Sequence, residues 1–112
     1  MKTFAVEEIT SQAELAFIAR RATDWFHRQA AVLRLEDQAT LATVAVGDDH
    51  WIPRLAATTL LTSTSLLMNI MVEDVDRAVR RTALERLVAL GAISRTASPD
   101  ILATTTTSKE AS

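Results

Sequence analysis

The sequence predicts an all-α fold, or a mainly α fold with one or two short strands: a small single-domain helical bundle around a central apolar helix or helix pair. Three observations carry this expectation. The stretch Leu55 to Val72 has no charge, glycine or proline, and lies between Arg54 and the acidic cluster Glu73, Asp74, Asp76. Only two glycines and two prolines occur in 112 residues, too few turn signals for a sandwich or barrel of many short strands. Apolar side chains recur at helical spacing on both flanks, as Leu15, Ile18, Ala22, Trp25, Val32 and Leu33 before the stretch and Val75, Val79, Ala83, Leu87 and Leu90 after it.

Taken in order, Thr3 to Val6 is short enough for an edge strand or an extended arm. Ser11-Gln-Ala-Glu14 has the spacing of a capping box, in which the hydroxyl serves the N3 amide and the carboxylate reaches back to the N-cap amide. A long amphipathic helix is expected from there to about Leu35, with Phe17 and Phe26 widening its apolar stripe. Asp37 then caps a segment ending at Gly47, read as a helix with Gly47 as its C′ residue, although ATLATVAV is β-branched enough for a strand. Asp48 or Asp49 is expected to cap the next helix, whose first turn tolerates Pro53. Thr62-Ser-Thr-Ser65 offers side chain to backbone bonds that can stop one helix and cap another or bend a continuous one, and a break is the favoured reading. Asp74 to Leu90 reads as the last helix, stopped by Gly91, with Ala92 to Thr96 briefly extended. The domain is expected to span residues 1–97, followed by a flexible tail over 98–112. No internal repeat with a period of 20 to 50 residues is evident, which argues against a solenoid.

The eighteen uncharged residues meet the length of a membrane span. Six hydroxyl side chains, Asn69 and the acidic exit argue for a protein interior instead. A strand reading of Leu66 to Val72 would give a βαβ unit with the helix from Asp74 and the segment from Ala92.

Composition excludes several functions. A net charge of −2 supplies no global field for nucleic acid or an anionic membrane. Cysteine is absent, which removes thiol catalysis, disulfides and thiolate metal sites and fits a reducing compartment. The start MKTFAVEEIT lacks the apolar run of a secretory signal, so a cytoplasmic location is expected. There is no glycine-rich phosphate loop, and no cofactor is expected.

Two clusters stand out as candidate sites. Asp24 and His27 share a helix face and, with His50 across the fold, suggest a small enzyme or ligand pocket. Arg77, Arg80 and Arg81 form a basic face for nucleic acid, although Glu73 with Arg77, Asp76 with Arg80 and Arg81 with Glu85 are also i,i+4 pairs that build a solvated face.

The run Leu84-Glu-Arg-Leu87-Val-Ala-Leu-Gly91-Ala-Ile93-Ser-Arg95 is similar to the end of the recognition helix and the first wing strand of winged helix-turn-helix regulators. That resemblance implies a DNA-binding transcriptional regulator. It covers about a dozen residues and stops upstream, where Arg80 stands at an apolar position of that pattern and Glu73 where the preceding helix should be buried.

The leading expectation is a non-enzymatic interaction or regulatory protein that acts through an apolar helix surface as a homodimer, with Leu15, Ile18, Trp25 and Phe26 at the interface. Its partner is then a second copy or another protein, not a membrane. Trp25 and Trp51 are read as core or interface anchors.

Overall fold

A computed structural model describes residues 6–94. All regular structure among them is helical, as the sequence predicts. A 3-10 turn at Val6–Glu8 leads into α1 (Gln12–Arg21), α2 (Trp25–Val32), α3 (Gln38–Gly47), α4 (Trp51–Thr58), α5 (Thr64–Glu73) and α6 (Arg77–Ala89). The expectations for Thr3 to Ala5 and for residues from Arg95 onward lie outside the described residues.

The six helices form three consecutive hairpins, α1–α2, α3–α4 and α5–α6, and equivalent residues recur every 26 positions. The first helix of each hairpin is capped by Ser11, Asp37 or Ser63, whose side-chain oxygens accept from the amides of Glu14, Thr40 and Leu66. The core is built in matching rows. Leu15, Leu41 and Leu67 form one, Ile18, Val44 and Ile70 a second, and Leu35, Leu61 and Leu87 a third, all buried. Ala31, Ala57 and Ala83 occupy one place on α2, α4 and α6 with no exposed surface, where a larger side chain would force the backbones apart. α4 lies at the centre, packed on α2, α3 and α6, and buries Pro53, Arg54, Ala56, Ala57 and Thr58.

The loops between hairpins are fastened the same way twice. The Gln12 amide donates to the Arg34 carbonyl at 3.0 Å and accepts from the Glu36 amide at 2.9 Å. Gln38 makes the equivalent pair with the Leu60 carbonyl and the Thr62 amide, both at 3.0 Å. In the third hairpin the position is Thr64, and Arg86 of α6 donates instead to the Leu61 carbonyl at 2.8 Å.

The period corrects the expectation that no repeat is present. The first two units share ten of 26 positions, Gln12 with Gln38 and Trp25 with Trp51 among them, but only four positions hold the same residue in all three (Leu15, Arg28, Ala31 and Leu35 with their equivalents), and these are the common residues leucine, arginine and alanine. The single helix expected from Ser11 to about Leu35 is two helices broken at Ala22–Asp24. There the Arg28 guanidinium donates to the carbonyls of Ala22 and Thr23 at 2.8 and 3.1 Å, and it stabilises a turn that interrupts an otherwise continuous apolar stripe. The last helix starts at Arg77 and not at Asp74, because Asp76 accepts from the amides of Ala78 and Val79 as its cap. Val75, expected on the apolar face, lies in the preceding turn and is 88% exposed.

Gly47 is the last residue of α3, not a left-handed cap, and it is the His50 imidazole, not Asp48 or Asp49, that caps α4 by accepting from the Ile52 amide. Gly91 does stop α6 in the left-handed conformation (φ 80°), with the amides of Gly91 and Ala92 returning to the carbonyls of Val88 and Leu87. No strand forms among the described residues, which removes the strand readings of 39–46 and 66–72 and leaves Ala92 to Ser94 without a wing strand.

The uncharged stretch becomes the second half of α4, a turn broken at Ser63 as expected, and α5. Two of its hydroxyls return to their own helix: Thr58 donates to the Arg54 carbonyl at 2.7 Å and Thr59 to that of Ala56 at 2.6 Å. No helix among the described residues is long and apolar enough to cross a membrane.

The cap of α3 yields a pH test. Hydrogen bonds from the Thr40 hydroxyl and amide hold the Asp37 carboxyl below its ordinary value of 3.8. A depressed folded-state pKa adds stability that is present above the unfolded value and is lost as pH falls through the folded one. Asp37→Asn is therefore expected to lower the melting temperature at neutral pH, with the gap from wild type narrowing below pH 3.8 in thermal melts followed by circular dichroism.

Candidate interaction surface

The turns inside the hairpins bring together residues far apart in sequence. Arg28 on α2 reaches the turn of the second hairpin, where it donates to both carboxylate oxygens of Asp48 at 2.8 and 3.1 Å. Arg54, its counterpart on α4, donates to both oxygens of Asp74 in the third hairpin at 3.0 and 3.2 Å, and to the Asp48 carbonyl of its own hairpin at 2.9 Å. Arg80 on α6 repeats the second half of the pattern, donating to the Asp74 carbonyl at 2.8 Å. The position 26 residues after Asp74 is Asp100, outside the described residues.

Arg28 and Arg54 thus each tie their own turn to the turn of the next hairpin. The side chains of Arg28, Asp48, Arg54 and Asp74 are between 6% and 13% exposed, so these are buried, bidentate pairs. The carboxylates are further engaged by the amides of His50 and Asp76. The hydrogen bond to Asp48 holds the Arg28 guanidinium above its ordinary pKa, against the opposing effect of burial. These arginines are fastened within the fold and are not available as ligands for a phosphate.

Beside the first clasp runs a ridge of rings. Trp25 stacks on His50 with centroids 4.6 Å apart, His50 lies parallel to Trp51 at 6.3 Å, and Phe26 stands edge-on to Trp25 at 6.0 Å. Phe26 is 58% exposed and Trp51 41%, and Trp25 is half-buried. The ridge links α2 to α4 across the hairpin boundary. Asp24 and Asp49 border it, the latter almost fully exposed at its side chain and 3.2 Å from Arg28.

The residues singled out by sequence separate into three groups. Leu15 and Ile18 are buried in the chain's own core, so of the four interface candidates only Trp25 and Phe26 reach the surface. Asp24 pairs with His27 at 3.1 Å, whereas His50 uses its Nδ1 as a helix cap and its ring face against Trp25. No group of three His, Cys, Asp or Glu side chains placed to hold a metal occurs among the described residues. Arg77 and Arg81 are exposed, while Arg80 is half-buried on the Asp74 carbonyl; none of the three forms its expected i,i+4 ion pair among the described residues.

Sequence reasoning missed both clasps and the ring contact between His50 and Trp25. The available signal was the recurrence of arginine three residues before alanine at Arg28/Ala31, Arg54/Ala57 and Arg80/Ala83.

These features define a helical-hairpin array, in which side-by-side helices from successive units create one continuous face. No protein family, curated protein or solved structure matches the chain in comparisons of sequence and fold.

Proposed function

We propose that this chain is a non-enzymatic interaction protein that works through the aromatic face of α2 and α4, and that it does so as a homodimer. The observation that carries the reading is the contiguous ridge Phe26–Trp25–His50–Trp51, which spans two hairpins and leaves large rings in water. Tryptophan and phenylalanine in such a setting supply much buried area on association at little cost in side-chain entropy, and they dominate interface energetics.

Phe26→Ser tests the reading, because the Phe26 side chain contributes little to the core. Wild type at about 100 μM, a concentration at which even weak dimers of this size populate, is expected to run as a dimer in size-exclusion chromatography with light scattering. The variant is expected to shift toward monomer at unchanged helical content. A wild-type protein that stays monomeric would reject the proposal.

The nucleic-acid reading draws support from the exposure of Arg77 and Arg81 alone. Asp74 and Asp76 at the same end of α6 would repel phosphate. Retardation of pooled genomic fragments at low salt, abolished by changing both arginines to serine, is the result that would revive it.

A further inference from the structure

Resting on the homodimer just proposed, the repeat register assigns how two copies meet. Equivalent places on α2, α4 and α6 hold Trp25, Trp51 and Arg77, and one helical turn later Gln29, Leu55 and Arg81. α2 packs on α4 and α4 on α6, so each set is a row running across three neighbouring helices. Both rows change character along their length. The α2 end is aromatic and bordered by Asp24 and Asp49; the α6 end carries two exposed arginines that meet no carboxylate among the described residues.

A two-fold interface is self-complementary, so a residue i that meets j is matched by j meeting i. With the axis along the rows and midway between them, Arg77 of each copy would face Arg81 of the other, bringing like charges together. With the axis parallel to the helices, the order of the rows is reversed. Then Arg77 of each copy lies over the ring face of Trp25 in the other, near Asp24, while Trp51 meets Trp51 and Leu55 meets Leu55 at the axis. A guanidinium over an indole is a favourable cation–π arrangement. The apolar middle supplies the buried area, and the charged ends set the direction.

We propose that two copies pair face to face through α2, α4 and α6 in this reversed order, with the α6 arginines of each copy on the tryptophan end of the other.

The chain has no cysteine, so introduced thiols report the order without background. Full-length Gln29→Cys and Arg81→Cys variants, prepared separately and then mixed under mild oxidation, are expected to give a cross-linked pair containing one copy of each. Either variant alone is expected to give little. Self-cross-linking of Gln29→Cys, with none in the mixture, would overturn the reversed order while leaving the aromatic-face dimer intact. Arg77→Glu, at the exposed first residue of α6, is expected to weaken dimerisation roughly tenfold, since both copies lose a contact at once. Val72→Glu on α5, 62% exposed and outside both rows, is expected to leave it unchanged. A dimer indifferent to Arg77→Glu but broken by Val72→Glu would place the interface on α5 and overturn both proposals.

Discussion

Replacing Arg54 by alanine is expected to destabilise the fold by about 3–5 kcal/mol, because it strands the Asp74 carboxylate in a nearly solvent-free turn. Asp74 is 7% exposed at its side chain and receives both of its charged hydrogen bonds from Arg54. The same change removes the donor to the Asp48 carbonyl. For a domain of this size, with a total stability of about 5–15 kcal/mol, that is a large fraction of what holds it together. Urea denaturation followed by circular dichroism checks the figure. Asp74→Asn in the Arg54→Ala background is expected to recover part of the loss, since a neutral amide is far less costly to bury than an unpaired carboxylate.

Leu41→Ala is the second large effect, at about 2–5 kcal/mol, from lost apolar burial plus the cavity left behind. Leu41 is 1% exposed and belongs to the middle hairpin, with a neighbour hairpin on either side. Leu15 is equally buried but belongs to the first hairpin, which among the described residues has a neighbour hairpin on one side and only the 3-10 turn Val6–Glu8 besides. In an array stabilised by nearest-neighbour contacts, the middle substitution should cost more than the terminal one. Equal losses at the two sites would speak for a core that is not organised by hairpins.

The helical class, the capping residues Ser11 and Asp37, the break at Ser63 and the stop at Gly91 were legible because each depends on local chemistry: a hydroxyl or carboxylate before an apolar period, or a glycine after one. The break at Ala22–Asp24 was not, because the group that stabilises it is the side chain of Arg28, and the apolar spacing continues across the turn. His50 was hidden as a cap for a related reason. Two aspartates precede it, and only the fold shows that Asp48 is already committed to Arg28.

The candidate site was legible in part. Trp25 and Phe26 were visible as excess apolar surface on one helix, but Leu15 and Ile18 lie on the same apparent stripe and belong to the core once α1 and α2 separate. The basic cluster on α6 divides in the same way, since Arg80 takes a structural place that Arg54 and Arg28 hold in the earlier hairpins. What distinguishes a structural arginine from an available one is its register in the 26-residue period. That period is strong between the first two units but falls to four shared positions across all three, and the third unit has Arg77 where the others have tryptophan.

The central claim is that a bidentate arginine–aspartate pair fastens each hairpin to the next. A double-mutant cycle on Arg54→Ala and Asp74→Ala, measured by urea unfolding, tests it most directly. The account predicts that the double variant is scarcely less stable than Arg54→Ala alone, so that the coupling matches the smaller, Asp74→Ala loss at roughly 2–3 kcal/mol. Additive losses, with no coupling between the two positions, would contradict it.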